Sequence, residues 1–558
     1  MPKDSIAIIP ENGYHPEQKQ SKKALIWMKE IAEKRNINIR HKGHVDGEFK
    51  VGPFYVDGID LENKTIFEFH GCWHHACPKC FSETTFNKSR GLIFKSIYIR
   101  HKYRLNYIKE KLPDYKIEEI WEHDWDGNLN EIVDEIIPRE ALSGGHTMAF
   151  NLYYKCIDEE KIKYIDYTSL YQYVQKYGIY PKGHPEIITE NFSNKKYFGL
   201  IKCKIIAPRG LYHPVLPAKI NNKLKFPLCA KCAATNQKNC NHNDNERALV
   251  GTWVSLEVDK AIEKGYRIEK YFCVWHWNET LKYDEITKTG GLFTGYINNA
   301  LKEKQEASGF PPNCDTEEKK DKYIEDYYQN EGILLDKNNI EFNPGKRAVA
   351  KIKANSQWGY LAMNNNKVSY KIINDAGEWF KLLENDQYKI HDVKFFNQDT
   401  IQVFYSHNKD QFEGGIKTNV AVAAFVTAQG RLHLYNEMEK LDKRVLYCDT
   451  DSIIFISRPG EYEPELGNYL GQFTNEIEDG YIEEFVSAGP KNYAYKLNNG
   501  KTNCTIKGFT QNHVTSSVGP WSQKPWYNWS VPKTMVSLRP RSQDHGPNET
   551  MVPRPWSP

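Results

Sequence analysis

The stretch Leu446-Tyr447-Cys448-Asp449-Thr450-Asp451-Ser452-Ile453-Ile454-Phe455 decides the fold. Two apolar runs flank a short acidic turn, so Val445–Phe455 reads as two short strands around Asp449-Thr450-Asp451. Carboxylates at the ends of apolar strands are costly unless something pairs with them. A divalent ion is the natural partner. Mg²⁺ takes one or two carboxylates plus substrate phosphates, and two such ions activate an attacking oxygen and stabilise a leaving one. Asp166 repeats the setting. It ends the apolar run Tyr164-Ile165 in a strand over Lys161–Tyr167, ahead of a helix over Leu170–Tyr177. Asp-Thr-Asp by itself is usually an ordinary turn, and its place between two apolar strands is what marks it.

A second element is cationic. Pro344–Tyr360 reads as a helix, with proline at its start. Arg347, Lys351 and Asn355 recur every four residues and share one face, and Trp358 lies close to the same stripe. Such a face suits a triphosphate held by cations beside an aromatic ring. The plainer alternative is a solvated basic helix. Further helices are expected at Phe293–Gly309, Asp321–Glu331 and Ala421–Glu439.

Composition bounds the rest. The 558 residues imply several domains, and 26% charged with 40% hydrophobic residues fits a globular chain. Aromatic residues at 13%, including 35 tyrosines, disfavour wholesale disorder. A net charge of +3 excludes a histone-like polycation but not a local basic groove. No apolar run reaches the ~20 residues of a membrane helix, so no membrane partner is expected. Met1–Pro10 lacks a secretory pattern, and the expected location is intracellular, nuclear if the chain comes from a eukaryotic mobile element.

Upstream, Ser21–Arg35 and Lys95–Lys111 read as helices, and Phe54–Asp60, Thr65–His70 and Lys116–Trp125 as strands or strand and turn. This β-β-α-β order makes a compact α/β unit in which Asp57 and Glu68 stand on adjacent strands and share a metal. His70 lies on the same strand face as Glu68. Two of the cysteine groups have metal-ligand character. Cys72, Cys77 and Cys80 have His74, His75 or His123 as a fourth ligand for Zn²⁺. Cys229-x₂-Cys232 with Cys240-x-His242 has closer zinc spacing. Ser143-Gly-Gly145 marks a linker. The tail from Val514 is rich in proline and tryptophan, without periodicity, and is expected to be irregular.

Together these segments resemble family B DNA polymerases. Asp166-Tyr-Thr-Ser-Leu-Tyr171 is similar to motif A, Lys351-Ile-Lys-Ala-Asn-Ser-Gln-Trp-Gly359 to motif B, and Tyr447-Cys-Asp-Thr-Asp-Ser452 to motif C. Gly489-Pro-Lys-Asn-Tyr-Ala-Tyr495 resembles the Lys-x-Tyr element that follows, and the order is the family's. Ser143-Gly-Gly-His-Thr147 and Tyr177-Gly-Ile-Tyr-Pro-Lys-Gly-His-Pro185 point to the protein-primed branch of Polinton/Maverick transposons, viruses and linear plasmids. Residues 56–80 resemble restriction-endonuclease-like folds, in particular very-short-patch repair nucleases, with His70 where many carry lysine.

The resemblance implies an α/β and α+β multidomain chain: an extension at 1–20, an endonuclease-like α/β domain at 21–135, and a right-hand polymerase at 140–510. Within the last it implies a palm at 146–215 and 363–456, a Cys/His insert at 216–290, fingers at 291–362 and a thumb at 457–510, with the tail at 511–558. It implies that Asp166 and Asp451 hold two Mg²⁺ or Mn²⁺ ions with Asp449 assisting. Tyr171 would lie beneath the sugar and exclude a 2′-hydroxyl. Lys351, helped by Arg347, would contact the triphosphate, while Asn355 and Trp358 line the nucleotide pocket. Lys491 and Tyr493 would steady the primer terminus. The implied partners are template-primer DNA, dNTPs and a terminal protein primer.

The chain departs from the family at Gln172, where proline is usual, and at Trp358, where tyrosine is usual. No region resembles the exonuclease motifs, so proofreading is not expected, and the thumb pattern breaks off after Lys507-Gly-Phe-Thr510. The rival readings are a catalytically impaired DNA-binding remnant and a metal-dependent endonuclease acting through Asp57 and Glu68.

Overall fold

The computed structural model describes residues 6, 7, 9, 21–42, 44, 47–87, 92–125, 136–192, 196–237, 239–385, 387–407 and 418–508. The tail at 511–558 and nearly all of the extension at 1–20 lie outside the described residues. The chain divides into two compact units, Met1–Cys504 and Thr505–Pro558. The fold of the first is mixed α/β.

At its N-terminal end a four-stranded sheet runs in the order Arg40–His41, Gly58–Asp60, Thr65–His70, Lys116–Trp121. The last pair is parallel and its crossover is the helix Phe94–Lys111. Helix Lys22–Arg35 is capped by the Ser21 hydroxyl, which accepts from the Ala24 N–H. It buries Ala24, Leu25, Trp27 and Met28 against Phe67 and Phe69. The expected strand Phe54–Asp60 is broken in two. Phe54–Val56 forms a hairpin with Phe49–Val51, whereas Gly58–Asp60 joins the main sheet. Asp57 stands at the break, because its carboxylate accepts the Phe69 N–H at 2.8 Å instead of extending a strand.

A nine-stranded sheet forms the centre of the chain. Its path is Thr502–Ile506, Asn492–Leu497, Ile482–Gly489, Lys161–Tyr167, Ser452–Ser457, Val445–Asp449, Thr147–Ala149, with Tyr153–Lys155 and Phe473–Asn475 pairing alongside. Period-two alternation splits its side chains between two cores. Ile165, Tyr167, Ile453 and Phe455 join the large core, and Ile162, Ile454 and Ile456 the smaller one. Helix Val420–Leu441 lies in the large core, apolar on every side through Ala428, the pattern of a fully buried helix.

A four-stranded antiparallel sheet, Glu186–Ile188, Arg267–His276, Gly199–Ile206 and Leu249–Val254, shares that core through Leu200, Trp253 and Trp275. Residues 216–290 are therefore not a self-contained insert. Two of their strands complete a sheet begun before residue 215, because alternating apolar residues there need a partner face. Likewise the strands Phe473–Asn475, Ile482–Gly489, Asn492–Leu497 and Thr502–Ile506 extend the central sheet. Helices Thr294–Glu306 and Pro344–Leu361 pack together, linked through Glu317–Glu331. A three-stranded sheet, Ser369–Ile373, Ile401–His407 and Tyr388–Phe395, follows. No helix among the described residues is long and apolar enough to cross a membrane.

Candidate functional site

The two acidic motifs meet because their strands are neighbours. Lys161–Tyr167 pairs antiparallel with Ser452–Ser457, which sets Asp166 opposite Ser452, one residue from Asp451. The Tyr167 N–H donates to the Asp451 carbonyl at 2.8 Å. Burial, then the Asp451, Glu476 and Asp449 carboxylates, push the Asp166 carboxyl up to about 7. Asp451 is raised by burial and by Asp449. Such mutual repulsion between part-buried carboxylates is relieved by a nearby cation.

Asp449 is held differently. The Lys491 ammonium lies 2.7 and 3.0 Å from its two oxygens, and the Thr147 hydroxyl donates to it at 2.8 Å. Thr450, at the tip of the turn, has φ 62, a strained conformation for a β-branched residue. It is pinned by its N–H to the His146 carbonyl at 2.7 Å and by its hydroxyl to Asp449 at 3.1 Å. A Cβ at Gly145 would lie 2.6 Å from the Thr450 hydroxyl oxygen, so only glycine lets this segment pass. Ser143–Gly145 is thus a clamp and not a linker. The buried Arg431 guanidinium donates to the Ser143 and Gly144 carbonyls at 2.7 and 2.8 Å and pairs bidentately with Glu257.

The cationic face lies on helix Pro344–Leu361, whose first turn is capped by Asn343. Ala350 and Ala354 face inward while Arg347, Lys351 and Asn355 are exposed. Arg347 donates to the Ser308 hydroxyl at 3.1 Å. Tyr171 stacks on Trp358 with centroids 4.8 Å apart and an angle of 22°. Gln172 donates its amide to Asn355. The departures at 172 and 358 therefore sit side by side and join the Asp166 segment to the cationic helix. On the opposite wall, Tyr493 lies over Tyr447 at 5.0 Å, and its hydroxyl is 3.2 Å from that of Tyr164.

Two residues at the site carried no motif. Glu476 follows a strand paired with the Asp166 strand and acts on both aspartates. Lys304 comes from the neighbouring helix, and burial with the Arg347 and Lys351 charges holds its ammonium below the usual lysine range. Its spacing in Thr294–Glu306 is that of an ordinary amphipathic helix, so only the packing of the two helices reveals it.

Two thiolate-imidazole sets also close up. Cys72, Cys77, Cys80 and His123 bring one ligand atom each within 4.8 Å of the others, as do Cys229, Cys232, Cys240 and His242. Sulfur-to-Nδ1 distances of 3.1 and 3.5 Å in the first, and 3.3 to 3.9 Å in the second, suit edges of a tetrahedral Cys₃His zinc site. The imidazole that joins the first set is His123, not His74 or His75. In the same N-terminal unit Glu68 is buried and locked bidentately by Arg104, at 2.7 and 2.9 Å. Burial pushes Glu68 up to about 7, against Arg104.

The sequence of the family described as DNA polymerase type B, organellar and viral, matches residues 79–313. A probable DNA polymerase of Neurospora intermedia is 21% identical over 352 residues, which are 60% of this chain and 28% of that protein. A DNA polymerase of Kluyveromyces lactis is 22% identical over 372 residues, 64% of this chain and 30% of that one. The chain thus spans less than a third of the curated relatives it matches. Among solved structures, Phi29 DNA polymerase with primer-template DNA superposes with a TM-score of 0.42 at 15% identity, over 67% of this chain and 54% of that one.

Proposed function

We propose that the chain is a DNA-directed DNA polymerase that adds dNTPs to a primer 3′-hydroxyl on a DNA template. The observation that carries this reading is the meeting of Asp166, near the end of its strand, with Asp451 in the turn before the paired strand, two part-buried carboxylates each raised by burial and by a neighbouring carboxylate. Asp166 and Asp451 would hold two divalent ions, Mg²⁺ or Mn²⁺, which supply activation of the attacking oxygen and neutralisation of the departing pyrophosphate.

The chain's own residues then position. Lys351, Arg347 and Lys304 form a cationic wall for the triphosphate, where most of the charge stabilisation in such a transfer is needed. The stacked Tyr171–Trp358 pair forms the floor for sugar and base, with Tyr171 against the 2′ position, and Gln172 holds Asn355 beside it. Lys491 neutralises Asp449 and with Tyr493 borders the path of the primer end. On this reading residues 146–215 and 363–456 make a palm whose sheet runs on into the thumb strands of 457–510, and 291–362 make the fingers. The sequence similarity to type B DNA polymerases supports the reading.

We further propose protein-primed replication of a mobile or viral element, with a terminal protein as primer and an intracellular, in a eukaryote nuclear, site of action. The N-terminal unit, endonuclease-like in its β-β-α-β order, serves on this reading to bind DNA. The salt bridge from Arg104 occupies the Glu68 carboxylate that a cleaving metal would need. Zn²⁺ in the two Cys₃His sets would staple the N-terminal unit and the segment 229–242.

Primer extension with Mg²⁺ or Mn²⁺ tests the function. Template-dependent incorporation that is lost in Asp166→Ala and in Asp451→Ala is the expected result. Full activity in either variant overturns the site, and no incorporation by the intact chain overturns the function.

A further inference from the structure

Beside the first Cys₃His set lies a second group that the polymerase reading does not use. His70 ends the strand Thr65–His70, His75 sits in the turn after it, and His101 lies mid-way along helix Phe94–Lys111. Their ring centroids are 4.5 Å apart for His70 and His101, 4.7 Å for His75 and His101, and 5.4 Å for His70 and His75. One ring nitrogen of each lies within 4.8 Å of the other two.

Two of these imidazoles are almost wholly out of water, His70 at 0% and His101 at 5% exposure. Among the described residues, Nδ1 of His70 and both ring nitrogens of His101 have no hydrogen-bond partner. Buried polar nitrogens of this kind are uncommon, because each lost its water without gaining a partner. A packed core would place apolar residues here. Three convergent imidazoles, of which His70 and His101 carry orphaned nitrogens, instead have the donor set of a transition-metal site.

The outer contacts fit as well. His70 Nε2 lies 3.0 Å from the Glu119 carboxylate. A proton on Nε2 leaves Nδ1, which has no hydrogen-bond partner among the described residues, as a lone pair. Metal-ligating histidines are commonly oriented by a carboxylate in this way. The neighbouring Arg104 charge is taken up by Glu68. The cluster is not part of the thiolate site, whose four ligands are complete with His123.

We propose that His70, His75 and His101 form a separate tris-imidazole site for a divalent transition-metal cation of the zinc class, oriented by Glu119. Three nitrogen ligands leave a tetrahedral ion one further position for water or an anion oxygen. The half-buried His75 is the ligand nearest solvent. The site holds whether or not the chain polymerises DNA.

The test is Co²⁺ loading of the full chain, with metal content and visible spectra. Wild type is expected to bind one ion per chain more than either His101→Gln or His75→Gln. Both variants should keep the sulfur-to-cobalt charge-transfer band of the cysteine sites. His75→Gln guards against a folding defect, since its ring is not in the deep interior. Unchanged stoichiometry in His75→Gln overturns the proposal. Loss of the sulfur band together with the extra ion does so too, because the imidazoles would then serve the thiolate site.

Discussion

The Lys491 ammonium lies 2.7 and 3.0 Å from the two carboxylate oxygens of Asp449 and acts at longer range on Asp451, while burial and the neighbouring carboxylates raise Asp166. On the proposed polymerase reading, Asp449 is the aspartate that the protein itself neutralises, and Asp166 and Asp451 are the two that would hold metal. Asp449→Asn should lower incorporation about 10- to 100-fold, the range for groups that orient metal ligands, whereas Asp166→Asn removes it. Lys491→Met combined with Asp449→Asn should cost little more than Asp449→Asn alone. Steady-state primer extension measures both, and additive losses would show that the pair does not act as a unit.

Trp358 and Tyr171 stack at 4.8 Å. An aromatic pair of this geometry contributes about 1 kcal/mol beyond burial, so Trp358→Ala should raise KM for dNTP about fivefold through a loosened Tyr171. Trp358→Tyr should restore most of it. A KM that stays at the wild-type value in Trp358→Ala counts against the stacked floor.

Burial, then the Arg347 and Lys351 charges, holds the Lys304 ammonium below the usual lysine range, and on the proposed reading a triphosphate relieves that crowding. Lys304→Met should lower kcat/KM for dNTP about 10- to 100-fold, as expected for one lost charge-assisted hydrogen bond. Its unfolding midpoint should not fall, since a like-charge contact is removed. Wild-type kcat/KM would exclude Lys304 from the triphosphate wall.

Arg431 and Glu257 are 2% and 1% exposed and pair at 2.8 Å. Removing one leaves a buried charge, so Arg431→Met should destabilise the fold by about 3–5 kcal/mol. Arg431→Met with Glu257→Met should recover much of that, although the Ser143–Gly144 clamp is lost. Urea unfolding compares the two, and a double variant as unstable as the single would argue against unpaired charge as the cause.

Lys176 is fully buried, with its ammonium on the Glu331 carbonyl and 3.7 Å from the Glu331 carboxylate. Burial outweighs Glu331 and lowers its pKa to about 8. The unfolded chain then binds more protons than the folded one between about pH 8 and about pH 10.5, so this group makes stability rise with pH across that window. Lys176→Met should flatten the rise. Urea midpoints at about pH 8 and about pH 10 decide it, and an equal slope in the variant excludes Lys176 as the source.

Much of the candidate site was legible because its signals are local. A strand ending in Asp166, two strands around Asp449 and Asp451, and a face of Arg347, Lys351, Asn355 and Trp358 all follow from spacings of two and about 3.6 residues, which the backbone imposes on any chain. Cys229-x₂-Cys232 and Cys240-x-His242 are local in the same sense. The break at Asp57 was not legible, since it depends on an N–H twelve residues away.

What tertiary structure alone decided are the partnerships across long separations. Thr147 meets Asp449 over 302 residues, Arg431 meets Ser143 over 288, and Cys72 meets His123 over 51. Lys304, Glu476 and the His70–His75–His101 cluster enter by the same route. Sequence spacing carries the periodicity of each element, but which faces meet is set by burying those apolar faces against one another, and that is a property of the whole chain.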